Sequence, residues 1–346
     1  MSFLKILLWP FALLYDLVTR SRNYLFDIGY KKSIRFTVPT IVVGNLSVGG
    51  TGKTPMVEYM IKLLRQTERL AVLSRGYGRK TRGFIAADAS ASAVAIGDEP
   101  FQIYQKFEGE IPVFVGEDRV LAVPNILVAA PETSLLLLDD AFQHRYVDAH
   151  LNILLSDYQQ PFYEDYLLPL GRLREARKGA QRANAIVITK CPQNLTSSEK
   201  VHITQKVAQY TSANVPVFFA YIAYDEPVFK SGAKIATSDY YLFAGIAKSK
   251  IFDDYSRKEF NVLGSKYFAD HHRYMEAEVE ALVEAAKTSG AKALLTTEKD
   301  AVKFEALTLK QALSDFPLYY LPIKTAFFES DFDQWIKDKT AALRDQ

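Results

Sequence analysis

The stretch LSVGGTGKTP, residues 46–55, decides the fold. It follows the apolar run 40–43 and leads into residues 56–64, which have the apolar spacing of an amphipathic helix. A strand, a glycine-rich turn and a helix in this order predict a loop whose backbone N–H groups surround a phosphate. The lysine would reach the outer phosphates, and the threonine hydroxyl that follows it would bind Mg²⁺. The candidate phosphate-binding residues are Ser47, Val48, Gly49, Gly50, Thr51, Gly52, Lys53 and Thr54.

The first residue of this loop departs from the usual pattern, which begins with a glycine where this chain has Ser47. A serine can close the turn if its backbone angles are ordinary, so we interpret the stretch as a variant phosphate-binding loop. The alternative is a glycine-rich turn that binds no ligand. The strand pattern before the loop and the helix pattern after it disfavour that alternative.

Length, charge and cysteine content limit the class of protein. A chain of 346 residues with 49% apolar residues can form two domains with buried cores. Its net charge of +2 argues against a dedicated nucleic-acid binder. The single cysteine, Cys191, excludes an internal disulfide and a cysteine-based metal site, and it fits a reducing compartment.

Short apolar runs alternate with amphipathic segments along most of the chain, which predicts an α/β fold. The expected architecture is a mostly parallel sheet covered on both faces, then an extended linker or hairpin, then a second and smaller α/β unit. The predicted divisions are residues 1–24 as an N-terminal helix, 25–218 as the nucleotide-binding domain, 219–236 as the linker and 237–346 as the smaller domain.

The N-terminal segment predicts an amphipathic helix, kinked at Pro10, with basic residues at its ends and downstream. Its uncharged run, residues 6–15, is too short to span a bilayer of about 30 Å. Such a helix could lie in a membrane interface or pack on its own domain, and the pattern leaves both open. The apolar stripe consists of Leu4, Leu7, Leu8, Phe11, Leu14, Tyr15 and Val18, and the basic residues are Lys5, Arg20, Arg22, Lys31, Lys32 and Arg35.

Two acids follow the leucine run 135–138, in SLLLLDDAFQHR. In open α/β sheets ligands bind at the carboxyl ends of the strands, so an acid there would face the phosphate loop. Asp139 and Asp140 are therefore candidates for the Mg²⁺ site. The sequence does not decide between them, and we favour Asp139.

Three further polar stretches lie near predicted strand ends. SRGYGRKTRG (74–83) contains Arg75, and GDEP (97–100) contains Asp98 in a turn before a helix. LPLGRLREARKGAQR (168–182) contains several arginines around one acid, Glu175. Charge runs are usually solvated surface, but here the cations could contact phosphate oxygens or an anionic substrate. Surrounded by cations, the Glu175 carboxylate could serve Mg²⁺ or a substrate hydroxyl.

Polar clusters also occur late in the chain. FADHHRY (268–274) contains His271 and His272, but no third ligand at regular spacing accompanies them, which disfavours a metal site. LLTTEKDAVKF (294–304) follows a predicted strand and could be no more than a helix cap with a charged first turn.

In their order along the chain, these motifs resemble those of the tetraacyldisaccharide 4′-kinases, the lipid A 4′-kinases of Gram-negative bacteria. The matching stretches, which extend to about residue 304, are VGNLSVGGTGKTP, SRGYGRK, GDEP, DDAFQH, LPLGRLRE, AGI, DHH and TTEKDAVK. The resemblance implies a P-loop NTPase-like, doubly wound sheet joined to a smaller domain by a two-stranded linker. It also implies ATP and Mg²⁺, and transfer of the γ-phosphate to the 4′-hydroxyl of an acylated glucosamine disaccharide 1-phosphate. The expected location is the cytoplasmic face of the inner membrane, as a peripheral or monotopic protein without an obligate protein partner.

The resemblance also implies roles for individual residues. Lys53 would hold the β- and γ-phosphates, Asp98 would be the general base for the sugar hydroxyl, and His271 would orient it. The implied Mg²⁺ ligands are Thr54, Asp139 and Glu175, and the implied substrate or phosphate contacts are Arg75, Arg119 and Arg174. This chain departs from the family at Ala141, Phe142, Leu170 and Arg172, which affects loop shape and removes no catalytic group.

A nucleotide-switched peripheral membrane ATPase with a P-loop is the alternative function. Such proteins carry a second lysine early in the loop, where this chain has Val48, and this counts against them.

Overall fold

The structure, a computed structural model, describes most of the chain. The described residues are 3–247, 249–305 and 307–344. The side chains of Leu4 and Lys5, which belong to the predicted helix stripe and its basic flank, lie outside the described part. The predicted outer domain limits, residues 1 and 346, also lie outside it.

Strands and helices alternate along the chain. The strands are β1 (Thr40–Asn45), β2 (Leu70–Ser74), β3 (Ile85–Ala86), β4 (Val113–Val115), β5 (Leu135–Asp139), β6 (Leu151–Asp157), β7 (Ala185–Thr189), β8 (Val217–Tyr224), β9 (Val228–Ser231), β10 (Asp239–Ala244), β11 (Asn261–Tyr267), β12 (Ala293–Thr297), β13 (Leu318–Leu321) and β14 (Ile323–Phe327). The α-helices are α1 (Phe3–Asp27), α2 (Lys53–Leu64), α3 (Ala93–Ile96), α4 (Asp98–Lys106), α5 (Arg119–Ala129), α6 (Ser197–Ala208), α7 (Ser249–Glu259), α8 (Glu276–Ser289), α9 (Glu298–Ala301), α10 (Leu307–Leu313) and α11 (Asp331–Arg344).

The strand before the phosphate loop lies in the middle of the larger sheet. Within the described residues this sheet has nine strands in the order β14-β8-β7-β6-β1-β5-β2-β4-β3. The pairings from β8 through β4 are parallel, and only the edge strands β14 and β3 run antiparallel. All residues of β1 and β5 are buried, because helices cover both faces of the sheet. The carboxyl ends of β1 and β5 therefore lie side by side.

The smaller sheet has five strands among the described residues, in the order β11-β10-β12-β13-β9. Only β9, at one edge, runs antiparallel to its neighbour. One of its apolar cores is built around Phe243, Phe304 and the buried side of α8.

The chain passes between the two sheets twice. It leaves β8 of the larger sheet for β9 of the smaller one, and it returns directly from β13 to β14. The two passages lie beside each other, since Asp225 N donates to Pro322 O at 3.1 Å.

The last part of the chain belongs to the larger unit, which differs from the predicted assignment of all of residues 237–346 to the smaller one. Strand β14 pairs with β8, and α11 shares an apolar core with α2. Phe332 is fully buried, and its ring stacks on Phe327 with centroids 4.4 Å apart. Local patterning identifies an amphipathic helix here, but it cannot say which sheet covers its apolar side.

Helix α1 packs on the larger unit with one side and leaves a largely apolar side exposed. Ala12 and Phe26 are buried, and the Tyr15 hydroxyl donates to Arg174 O at 2.8 Å. No described helix, α1 included, combines the length and apolar content needed to cross a membrane. The exposed apolar residues of α1 are Leu7, Trp9, Phe11, Leu13, Leu14, Leu17, Val18 and Tyr24.

We expect Phe332→Ala to lower the free energy of unfolding by about 3–5 kcal/mol, because it opens a cavity between α11 and the larger sheet. Urea denaturation followed by circular dichroism measures this change. Lys339→Ala, on the exposed side of the same helix, is the control and should change stability by less than about 0.5 kcal/mol. Equal stability of both variants would show that α11 contributes no core packing.

Candidate active site

The glycine-rich loop has the backbone of a phosphate-binding loop. Gly49 and Gly52 have φ angles of 105° and 86°, a region that favours glycine, and α2 begins at Lys53. The Asn45 amide donates to Thr51 Oγ1 at 2.8 Å, and the Thr189 hydroxyl donates to Thr51 O at 2.8 Å. The loop is therefore braced from β1 and β7, and the positive end of α2 faces its interior.

The segment 172–174 runs alongside the start of this loop. Ser47 forms an antiparallel bridge with Leu173. Val48 N donates to Arg172 O at 2.7 Å, and Arg174 N donates to Leu46 O at 2.7 Å. These bonds hold Ser47 in a strand-like conformation that any residue can adopt, so glycine is not needed at this position.

Asp139 ends β5 directly beside the end of β1, paired in register with Val43. It is 4% exposed, its Oδ2 accepts from the Ser74 hydroxyl at 3.4 Å, and its Oδ1 has no donor among the described residues. Burial and the neighbouring Asp140 carboxylate raise the pKa of Asp139 to about 7. A buried carboxylate oxygen without a donor fits a cation ligand. Together with the half-buried Thr54 at the start of α2, it forms an oxygen set that suits Mg²⁺.

Asp140 holds two cations beside the loop. Its Oδ1 accepts from Arg174 Nη1 at 2.9 Å and lies 3.6 Å from Lys53 Nζ. Burial opposes ionisation of this carboxyl, but Lys53 and Arg174 outweigh burial and hold its pKa below the ordinary value. The two cations that could contact phosphate oxygens are thus already gathered at one place.

Asp98 belongs to the larger unit and His271 to the smaller one, and their side chains lie close together. Asp98 begins α4 after Gly97, whose φ is 96° and where a Cβ would lie 2.9 Å from Tyr77 O. His271 Nδ1 lies 3.5 Å from Asp98 Oδ2. His272 instead lies 3.0 Å from Glu278 and stacks on Phe268, so the contact with Asp98 is made by the first histidine of the pair.

Two lysines complete the surroundings of this pair. Lys299 Nζ lies 3.1 Å from His271 Nε2, and because an ammonium can only donate, the Nδ1 proton faces Asp98. Lys303 Nζ lies 4.0 Å from Asp98 Oδ2. Burial raises the pKa of Asp98, but His271, Lys303 and Lys299 outweigh it and hold that pKa below the ordinary value. Asp98 is therefore an ionised carboxylate at neutral pH.

The predicted arginines lie in different environments. Arg75 is exposed beyond β2, and Arg174 pairs with Asp140 as described. Arg119 is 2% exposed, and its guanidinium donates to Gly116 O at 2.9 Å and lies 3.5 Å from Asp139 O. Burial lowers the pKa of Arg119 to about 10.

Glu175 is buried and saturated with hydrogen bonds. It accepts from Asn23 Nδ2 at 2.8 Å, Gln143 Nε2 at 3.1 Å and Arg182 Nη2 at 2.7 Å. These donors engage both of its oxygens. In this arrangement Glu175 is therefore less suited to a cation than Asp139.

Sequence reasoning missed some residues of the site. Lys303 and Gln143 were not singled out, although they lie in the TTEKDAVK and DDAFQH stretches that were. The TTEKD stretch does contain the helix cap considered above, since Thr297 Oγ1 accepts from Asp300 N at 3.2 Å. It also places Lys299 beside His271, so a helix cap and a contact with the candidate site coexist in this motif.

A braced glycine-rich loop at a helix start, two acids at the neighbouring strand end and a third carboxylate paired with a histidine define a P-loop phosphotransferase. The comparisons with known proteins give the family. The profile of the family Tetraacyldisaccharide-1-P 4′-kinase matches residues 4–341. The chain belongs to this family and is a kinase of lipid A biosynthesis, a phosphotransferase with an alcohol acceptor, as predicted.

Individual relatives agree with this assignment. The chain is 44% identical to the tetraacyldisaccharide 4′-kinase of Flavobacterium johnsoniae, over 98% of this chain and 99% of that protein. It is 38% identical to that of Bacteroides thetaiotaomicron, over 96% and 92% of the two chains. The crystal structure of LpxK from Aquifex aeolicus in complex with ATP superposes with a TM-score of 0.74 at 27% identity, covering 97% of this chain and 99% of that one. The predicted P-loop α/β fold is thereby confirmed, and the alternative of a nucleotide switch is not favoured.

We expect Lys53→Ala to weaken binding of a nucleoside triphosphate analogue by about tenfold or more, because a charge-assisted contact to the outer phosphates is lost. Isothermal titration calorimetry measures the dissociation constant. Lys62→Ala removes an exposed lysine from the same helix and should leave it unchanged. Equal affinities in the two variants would contradict the placement of the phosphates at this loop.

Proposed function

We propose that the chain binds ATP in the loop 47–54 and transfers its γ-phosphate to the 4′-hydroxyl of an acylated glucosamine disaccharide 1-phosphate. One observation carries this proposal. Asp98, at the start of α4, is an ionised carboxylate, and His271 orients it. The adjacent Glu99 is near enough to Asp139 to influence its pKa, so α4 begins close to the acids that face the phosphate loop. A base beside a phosphate site suits transfer to a hydroxyl.

The loop and its neighbours bind and align the triphosphate. Backbone N–H groups of residues 47–54 surround the phosphates, and Lys53 contacts the β- and γ-phosphate oxygens. Thr54 and Asp139 would hold Mg²⁺, and Glu175 would join them only by releasing some of its present donors. Bound Mg²⁺ would polarise the transferred phosphoryl group and screen its charge.

Asp98 accepts the proton of the attacking sugar hydroxyl. His271 orients the carboxylate through Nδ1, and Lys299 in turn sets which nitrogen of the ring carries the proton. Because little covalent assistance is needed in phosphoryl transfer, alignment of the hydroxyl with the γ-phosphate is the main task of these residues.

The arginines stabilise negative charge. Arg174 can pass from Asp140 to a phosphate oxygen, and the exposed Arg75 is available to the acceptor's phosphate. We expect the buried Arg119 to act chiefly by holding the ends of β4 and β5 in place.

The exposed apolar side of α1 supports attachment to the cytoplasmic face of the inner membrane, as a peripheral or monotopic protein. This side carries Phe11, Leu14 and Val18, all more than half exposed, and Lys31 and Lys32 follow the helix. An interfacial helix buries its apolar side at the acyl boundary while nearby cations contact anionic headgroups. The acceptor is itself a lipid, so this attachment would bring enzyme and substrate together. We propose that the protein acts without an obligate protein partner and without a nucleic-acid partner.

We expect Asp98→Asn to lower kcat by about 10²–10⁴-fold with little change in ATP affinity, because it removes the base and leaves the phosphate loop intact. ADP release measured with an acylated disaccharide 1-phosphate gives kcat. Asp88→Asn, an exposed acid in the preceding segment, is the control. ATP turnover that needs no acceptor would favour the switch ATPase, and full activity of the Asp98→Asn enzyme would remove Asp98 from its role.

The pH dependence tests the contact between the histidine and the base. Because His271 is one of three residues that hold the pKa of Asp98 low, with Lys303 and Lys299, His271→Ala should raise that pKa. Activity requires the carboxylate and is lost as pH falls through its pKa, so the acid limb of the kcat/KM profile, measured at saturating Mg²⁺ so that Asp139 stays ionised, should move to higher pH. His272→Ala, which removes a histidine with other partners, should leave the limb in place. An unmoved limb in His271→Ala would separate this residue from the base.

We expect the double variant Phe11→Asp and Leu14→Asp to reduce binding to phosphatidylglycerol-containing vesicles by about tenfold or more, because two apolar side chains no longer enter the interface. Vesicle flotation measures the bound fraction. Val128→Asp alters an exposed apolar residue of α5 and is the control. Undiminished flotation of the double variant would place the membrane contact elsewhere.

A further inference from the structure

The packed side of α1 is hydrogen-bonded to the segment 172–175. Tyr15 donates its hydroxyl to Arg174 O at 2.8 Å, and Asn23 donates its amide to Glu175 Oε2 at 2.8 Å. The two donors lie about two helical turns apart on α1. Helix α1 is therefore joined to consecutive residues of one segment.

That segment is also the neighbour of the phosphate loop. Through its backbone it pairs with Leu46, Ser47 and Val48, and through the Arg174 side chain it pairs with Asp140, which lies beside Lys53. A shift of residues 172–175 would thus alter the loop's backbone and the position of its cations together.

A second connection runs through Gln143. Arg22 Nη2 donates to Gln143 O at 2.6 Å. The Gln143 amide donates to Asn45 O, the last residue of β1, at 2.8 Å and to Glu175 Oε1 at 3.1 Å. Helix α1 therefore also contacts Gln143, which is hydrogen-bonded to the end of β1 and to Glu175.

The packed and exposed sides of α1 are different, so a bilayer can contact the helix without displacing it. Leu14 and Val18 are 62% and 59% exposed, whereas Tyr15 and Asn23 are partly buried against the larger unit. Arg145 secures the end of the helix by donating to Asn23 O and to Asp27, each at 2.8 Å. Membrane contact would hold α1 in this packed position.

We propose that α1 couples bilayer contact to the phosphate site, with Asn23 and Tyr15 as positioning residues that hold the segment 172–175 against the loop. This coupling rests on the proposed membrane attachment. A bilayer that stabilises the packed helix also stabilises the loop, so it tightens nucleotide binding. Because such coupling is reciprocal, bound nucleotide strengthens vesicle binding by the same factor.

The experiment uses the full chain, Mg²⁺ and the ATP analogue AMP-PNP, with no lipid acceptor. Its dissociation constant is measured with and without phosphatidylethanolamine–phosphatidylglycerol vesicles, and flotation is measured with and without AMP-PNP. We expect vesicles to tighten wild-type binding by about fivefold, a factor typical of such coupling, and AMP-PNP to increase vesicle affinity equally. Asn23→Ala and Tyr15→Phe should float like the wild type but show smaller ratios, because each removes one of the bonds that join α1 to the segment 172–175. Ser21→Ala, an exposed polar residue of the same helix, should keep the wild-type ratio.

The outcomes separate the coupling from the membrane attachment. A wild type that floats but shows no vesicle effect on AMP-PNP binding overturns the coupling and leaves the attachment standing. A wild type that does not float overturns both. An undiminished ratio in both Asn23→Ala and Tyr15→Phe overturns the role of these residues. Tyr15→Phe removes only a hydroxyl, so the test remains valid if Asn23→Ala misfolds.

Discussion

The carboxylate of Asp140 joins the segments on which the phosphate site depends. It follows β5, accepts from Arg174 beside the loop, and lies near Lys53 at the start of α2. Without it, two cations would face each other in a partly buried place, at a cost in stability. With it, the two cations stay gathered and neutralised. The described residues provide no donor for one oxygen of the nearby Asp139. Asp140 thus pairs with the cations of the protein, and Asp139 remains available to a metal ion.

A double passage between the sheets fixes how the two units face each other. The outgoing connection from β8 and the return into β14 lie side by side, and α11 then packs on the larger unit. Two connections restrict relative movement more than one flexible linker would. This arrangement places His271, which follows the smaller sheet's β11, against Asp98 of the larger unit. The contact between Asp98 and His271 thus depends on the packing of both units.

The phosphate loop and the acids after β5 could be predicted because their signals are local. Glycines at 49 and 52, a lysine and a strand before them are enough to specify a loop geometry. The choice between His271 and His272 was not available from the residues alone, since adjacent residues share the same local pattern, and only the family resemblance implied His271. Nor was the role of Asn23, whose partner Glu175 is 152 positions away. The predicted Glu175 was noticed as an acid among cations, but its three donors come from different segments.

The sequence by itself determined the elements: which runs form buried strands, that a helix follows the glycine-rich loop, and which side of α1 is apolar. These follow from backbone periodicity and from residue preferences over a few neighbouring positions. Only the tertiary structure decided the partners, such as β14 and α11 on the larger sheet and α1 on the segment beside the phosphate loop. The physical reason is that a partner is chosen by the fit of apolar surfaces and hydrogen-bonding groups from distant segments, and no single segment contains that information.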